Sequence, residues 1–159
     1  MTQNNFPFPS DGKRYYTWNR YLRNEFGKKV YKVALDAGFD CPNRDGTVAF
    51  GGCTFCSAAG SGDFAGNKVD PIPVQFEKIK TKMESKWKDG LTMAYFQAYT
   101  NTHAPLEVLK EKFEAALACE GVMGLSIATR PDCLPDDVVE YLAELNERTY
   151  LWVELGLQT

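Results

Sequence analysis

No stretch of this sequence approaches the ~20 apolar residues that a membrane span requires. The opening "MTQNNFPFPSDGK" lacks an apolar run, so it does not read as a secretory signal. There is no excess of positive charge either: 18 Lys and Arg stand against 21 Asp and Glu, a net of −3. That balance excludes a global attraction to nucleic acid or anionic membrane and leaves only local ones. Low-complexity tracts and interdomain linkers are missing as well. Histidine is reduced to one residue, His103. A soluble, cytoplasmic protein with no membrane partner is the expectation.

What is present supports a packed core. Apolar residues make up 44% and charged residues 25% of the chain, ordinary values for a globular domain. The length of 159 residues fits one domain spanning 1–159, with 1–29 as an N-terminal extension carrying an amphipathic helix. Residues 1–12 read as a polar lead-in. Trp18, Tyr21, Leu22 and Phe26 then fall on one helical face, and Gly27 is a natural stop.

The alternating, β-branched "VYKVAL" at 30–35 predicts a strand. Ile72, Phe76, Ile79, Met83 and Trp87 predict a helix ended by Gly90. Strands follow at 92–98, 122–128 and 150–158. Helices lie between them, one opened by Pro105 with Leu106, Leu109, Phe113 and Leu117, the other opened by Pro135 with Val138, Leu142 and Leu145. The last three strands begin about 30 residues apart, the size of one βαβ unit. Their near-continuous apolar character fits parallel strands covered by helices. The fold class is therefore α/β with a parallel sheet of about four strands, either open or part of a barrel. An eight-stranded barrel needs ~250 residues and does not fit the length. Because the sequence stops at the tip of a strand, it is expected to be a fragment truncated after the fourth strand of a longer barrel.

Three of the five cysteines crowd "DCPNRDGTVAFGGCTFCS", with eleven residues between Cys41 and Cys53 and two between Cys53 and Cys56. Where thiols stay reduced, such a cluster points to metal ligands or catalytic thiols before disulfides. Four thiolates would suggest a closed structural site; three suit a centre with one coordination position left open. The loop sits between the first strand and its helix, on the face where α/β folds keep their sites. Gly51 and Gly52 allow backbone N–H groups to approach sulfur. Asp45-Gly46 is a hairpin signal that would return Cys53 toward Cys41. Phe39, Phe50 and Phe55 are candidates for excluding water. Cys119 and Cys133 read as packing residues. His103 keeps open a Cys3His zinc site.

The run from Cys41 to Gly46 and "GGCTFC" at 51–56 resemble the cluster loop of radical S-adenosylmethionine (SAM) proteins. The likeness is strongest to the bacterial branch similar to the Elongator catalytic subunit. It extends to "YFQAYTNT", "ATRPDCLP" and "VELGLQT" at the ends of strands two, three and four. The eleven-residue spacer departs from the commonest spacing of that superfamily, as the Elongator-like branch does. The resemblance implies a partial barrel and a [4Fe-4S] cluster held by Cys41, Cys53 and Cys56, with SAM on the fourth iron. It implies an enzyme that generates a 5′-deoxyadenosyl radical, fed by a reductant protein, though the isolated 159-residue chain is expected to be inactive.

Phe55 occupies the position that often contacts adenine, or it shields the cluster. Gln97 lies where the family binds the SAM amino group, or it is an ordinary strand end. Arg130, Glu154 and Gln158 point to a shared mouth, or they make structural pairs. The expected substrate is tRNA, at a wobble uridine, or another nucleoside. In residues 13–29 six Lys and Arg face one Glu, with Tyr15, Tyr16 and Trp18 interleaved, a pattern suited to RNA. An amphipathic helix packing its aromatics on the barrel accounts for the same residues. A zinc-stabilised or non-catalytic RNA-binding module is the alternative function. The cut edge of the last strand is an expected site of self-association.

Overall fold

A computed structural model describes residues 13–157. The described chain runs α1 (Trp18–Phe26), β1 (Val30–Leu35), α2 (Ile72–Glu84), β2 (Leu91–Phe96), α3 (Leu106–Leu117), β3 (Val122–Thr129), a 3-10 turn (Pro131–Cys133), α4 (Asp136–Arg148) and β4 (Tyr150–Leu155). The four strands form one all-parallel sheet in the order β1-β2-β3-β4. Each consecutive pair is joined through one helix, so the α/β class with a partial run of βα units is what the molecule adopts. Among the described residues no helix is long and apolar enough to cross a membrane.

Strand alternation sorts the side chains. Val33, Leu35, Ala94, Phe96, Leu125 and Ile127 face α2, α3 and α4 and are fully buried. They pack with Phe76, Leu109, Phe113 and Leu145 in one core. Phe96 and Phe113 meet with ring centroids 4.8 Å apart. The opposite face carries Val30 and Met93, which bury Leu22 of α1. Trp18, Tyr21 and Phe26 pack beside them, and Trp18 lies 4.1 Å from Trp152 of β4. The aromatic side of α1 is therefore anchored on the sheet.

Local chemistry sets the ends of the elements. The Thr17 hydroxyl accepts from the Arg20 N–H, and Gly27 takes the left-handed turn that closes α1. Pro105 and Pro135 each stand immediately before a helix, where the missing N–H costs nothing. The helix expected to run to Gly90 ends at Glu84 instead. Trp87 lies in the following turn and still reaches the core, 5.6 Å from the Tyr31 ring. The sheet is also shorter than expected: β2 stops at Phe96, and β4 at Leu155. Gln97 and Gly156, the residues just past these two strands, line the cavity described below.

Candidate functional site

All three helix-bearing connections leave the C-terminal ends of their strands, and their loops converge there. The longest, residues 36–71, carries the three thiols. Gln75 of α2, almost fully buried, ties its two ends together. The Gln75 side chain accepts from the Asp36 N–H at 2.9 Å and donates to the carbonyls of Asp36 and Asp70, each at 2.9 Å.

Within the loop the Asp45-Gly46 signal yields a small ribbon. Asp45 and Phe50 form an antiparallel bridge, and the N–H groups of Val48 and Ala49 return to the Pro42 carbonyl. Gly46 holds φ +89°, and the Phe50 ring lies against the space where a side chain would stand. Gly52, at φ +80°, donates its N–H to the Asn43 carbonyl at 2.8 Å, which sets Cys53 beside the start of the spacer. The Cys56 N–H in turn bonds the Cys53 carbonyl. Of the three rings offered as shields, Phe39 is buried, while Phe50 and Phe55 are 81% and 64% exposed. Phe55 is thus placed at an open rim and leaves the thiols only half-buried.

A cavity of about 330 Å³ opens at this edge of the sheet. Cys41, Cys53 and Cys56 line it, and so do Phe55, Gln97, Arg130 and Glu154, each from a different loop or strand end. Gln158 lies outside the described residues. Seven of the eight residues singled out in the sequence are therefore brought to one place.

The two charged members also make the pairs that a structural role would give them. Arg130 is bidentate on Asp132 at 2.8 and 2.6 Å. That carboxylate, with a smaller contribution from Cys41, raises the Arg130 pKa further above its ordinary value. Glu154 receives hydrogen bonds from Tyr95 at 2.9 Å and Ser126 at 2.9 Å, and pairs with the Lys32 ammonium. One residue from each strand thus meets at Glu154. Burial pushes this carboxyl up, but Lys32, Tyr95 and Ser126 together hold it below the ordinary carboxylate value. Tyr95 moves the other way, raised by burial and by the Glu154 charge.

Beside the cavity, Tyr99 adopts the left-handed conformation with φ +61°, uncommon for a bulky residue. It is held there by two contacts: its N–H on the Gly60 carbonyl at 2.9 Å and its hydroxyl on the Ala58 carbonyl at 3.0 Å. The end of β2 is thereby latched to the chain just past Cys56. His103 turns elsewhere. Its Nε2 lies 2.7 Å from Asp45, and it lines a separate groove with Pro42, Val48 and Leu134. The Asp45 carboxyl is lowered to about 2 by the Thr47 N–H and side chain, then by His103. Cys133, in the 3-10 turn, is buried, and burial with the Asp132 charge pushes its thiol up to about 11. Cys119 is likewise raised by burial. Neither behaves as an activated thiol.

Among the described residues no three His, Cys, Asp or Glu side chains come close enough to share one metal ion. Of the four residues that a Cys3His zinc site would use, His103 is held on Asp45, away from the thiols' cavity. A cubane cluster makes a different demand, because each thiolate binds a different iron. The donor set suits that demand: three half-buried thiols on a glycine-rich ribbon, an amide donor on Cys53 and a guanidinium beside Cys41.

Sequence reasoning missed Lys32, Asn43, Arg44, Gln75 and Tyr99. Lys32 had a signal, as the one charge inside an otherwise apolar strand. For Gln75 no periodicity marks the residue, since its role depends on two loop ends 34 positions apart.

No protein-family model matches the chain, and no solved structure matches it. Curated proteins from several organisms are similar to it. A protein of Bacillus subtilis (strain 168) described as uncharacterized protein YtqA is 73% identical over 160 residues, covering 100% of this chain and 50% of that protein. Protein YhcC of Escherichia coli (strain K12) is 41% identical over 139 residues, 87% of this chain and 44% of the relative. Uncharacterized protein MJ0486 of Methanocaldococcus jannaschii is 37% identical over 153 residues, 94% of this chain and 46% of that protein. The chain thus spans about half the length of the curated relatives it matches.

Proposed function

We propose that this chain is the cluster-bearing part of a radical SAM protein that modifies tRNA, with a wobble uridine as the target. The observation that carries the reading is a convergence. The three thiols line one cavity with Phe55, Gln97, Arg130 and Glu154 at the C-terminal edge of a parallel sheet. Cys41, Cys53 and Cys56 would hold a [4Fe-4S] cluster and leave one iron for the amino and carboxylate groups of SAM. When bound, that pair supplies one-electron cleavage of a sulfonium and a carbon radical able to abstract hydrogen.

The chain's own residues bind and orient. Gln97 offers an amide to a polar ligand, and Glu154, kept ionised by Lys32, offers an acceptor on the cavity wall. Arg130 places positive charge beside Cys41. For RNA, α1 presents Arg23 outward, flanked by the exposed Tyr15, Tyr16 and Lys28. Positive charge for phosphate beside exposed aromatic rings for unstacked bases suits a single-stranded loop. Trp18, Tyr21 and Phe26 do not take part, because they are packed on the sheet.

The test is anaerobic reconstitution followed by Mössbauer spectroscopy and metal analysis. The reading requires a [4Fe-4S] signal in the wild-type chain that disappears in Cys53→Ala. Stoichiometric zinc without iron in protein prepared free of oxygen, or a cluster that survives loss of Cys53, overturns it.

A further inference from the structure

The eleven-residue spacer between Cys41 and Cys53 does more than span a distance. Its second residue, Asn43, points its amide at the Cys53 sulfur, with Nδ2 donating at 3.1 Å. The Asn43 carbonyl also receives the Gly52 N–H, so Asn43 is fixed from both ends against the residue it bonds. The next residue, Arg44, reaches across the ribbon. Its Nη2 donates to the Ser57 carbonyl at 2.6 Å, directly after Cys56. The guanidinium lies 5.4 Å from the Tyr99 ring centroid and covers Gly52, where an added Cβ would stand 2.9 Å from Nε. Two adjacent side chains thus connect all three thiol segments: the start of the spacer, the Gly52-Cys53 turn and the chain leaving Cys56.

We propose that Asn43 and Arg44 are positioning residues for the three-thiol centre, Asn43 tuning its electron affinity through the Cys53 sulfur and Arg44 fixing the chain past Cys56. This rests on the cluster reading given above. One-electron reduction adds negative charge that is shared by the thiolate sulfurs. A donor N–H on one of them stabilises the reduced state more than the oxidised one and raises the potential. Arg44 acts by geometry. Its planar fork holds a carbonyl and a ring face together, which the single ammonium of lysine does not reproduce.

Wild type and the variants Asn43→Ala, Asn43→Gln, Arg44→Gln and Arg44→Lys are reconstituted anaerobically. Two quantities are read: the midpoint of a dithionite-poised titration followed by electron paramagnetic resonance, and the rate of iron release to a ferrous chelator. Asn43→Ala is expected to shift the midpoint to a more negative potential, and Asn43→Gln, which keeps a donor, to return it toward wild type. Both Arg44 variants are expected to release iron several-fold faster with the midpoint little changed. Iron loss in Asn43→Ala with retention and a near-native midpoint in Asn43→Gln also supports the donor role. An unchanged midpoint in Asn43→Ala, or iron loss in both Asn43 variants, overturns that role. Release from Arg44→Gln at the wild-type rate overturns the role of Arg44. A wild-type chain that takes up no [4Fe-4S] cluster removes the proposed function and this inference together. A wild-type cluster indifferent to all four substitutions removes this inference alone.

Discussion

Lys32 is the residue on which the site's electrostatics turn. Its ammonium pairs with Glu154, stands 3.9 Å from the centroid of the Tyr95 ring and 5.7 Å from that of Trp18, so one cation serves a carboxylate and two rings. Glu154 is held below its ordinary value, and its contribution to stability follows from that direction. The contribution is complete above the unfolded carboxylate value of about 4.3 and is lost as pH falls through the lower folded value. In Lys32→Met the largest remaining influence on Glu154 is burial, which raises its pKa. The variant should therefore lose about 1–2 kcal/mol at pH 7, a figure kept small because Glu154 retains two hydrogen bonds and some solvent. The deficit should shrink as pH falls through the carboxylate range and vanish below the lowered folded value of wild-type Glu154, where the carboxyl is protonated in folded and unfolded chains alike. Urea unfolding at pH 7 and pH 3.5 checks both points; an equal deficit at the two pH values would assign the loss to packing and not to charge.

Element by element, the sequence disclosed a great deal, and its silences have physical causes. Alternation at 30–35 and four-three-four spacing in the helices mark the faces buried in the core, because burial is a one-residue property repeated at the element's period. The cysteine loop was legible for the same reason: its chemistry is local in sequence. Arg44 on Ser57, Gln75 on Asp36 and Lys32 on Glu154 were not, since each contact is created by the fold across 13 to 122 positions. The α1 segment shows both sides of this. Its aromatic stripe predicted packing, which Leu22 and Trp18 carry out, but the stripe alone did not separate packing rings from exposed ones. The structure separates them, leaving Tyr15 63% and Tyr16 40% exposed. If α1 is the RNA footprint, reversing Arg20 and Arg23 to Glu should weaken RNA binding and flatten the dependence of log K on log salt. Each lost phosphate contact removes released counterions worth about 0.7 of slope for a single strand. The three thiols lie far from both residues in sequence, and cluster absorbance should stay the same. An unaltered salt slope in the double variant would place the footprint elsewhere.

At the scale of the molecule, the described sheet has four strands and two outer edges. On β4 only the side toward β3 is paired with another described strand. Trp152, Leu155 and Leu157 near that edge are 36%, 50% and 80% exposed. An edge that combines unpaired backbone groups with apolar side chains is a template for another strand. Two copies related by a twofold axis would set β4 against β4 in antiparallel pairing, a closed and self-complementary contact. Fully burying a leucine is worth about 1.5–3 kcal/mol, so two leucines removed from such a contact should weaken it at least about tenfold. The 159-residue chain is therefore expected to show a weight-average mass that rises with concentration in light scattering. The double substitution Leu155→Lys and Leu157→Lys should return it toward the mass of one chain, because paired lysines on an edge repel a second copy. Cys41, Cys53 and Cys56 all precede residue 60, so iron content per chain should be equal before and after the change. A concentration-independent mass of one chain in the wild-type protein would show that this edge is already protected in solution, and an unchanged mass profile in the lysine variant would move the contact away from β4.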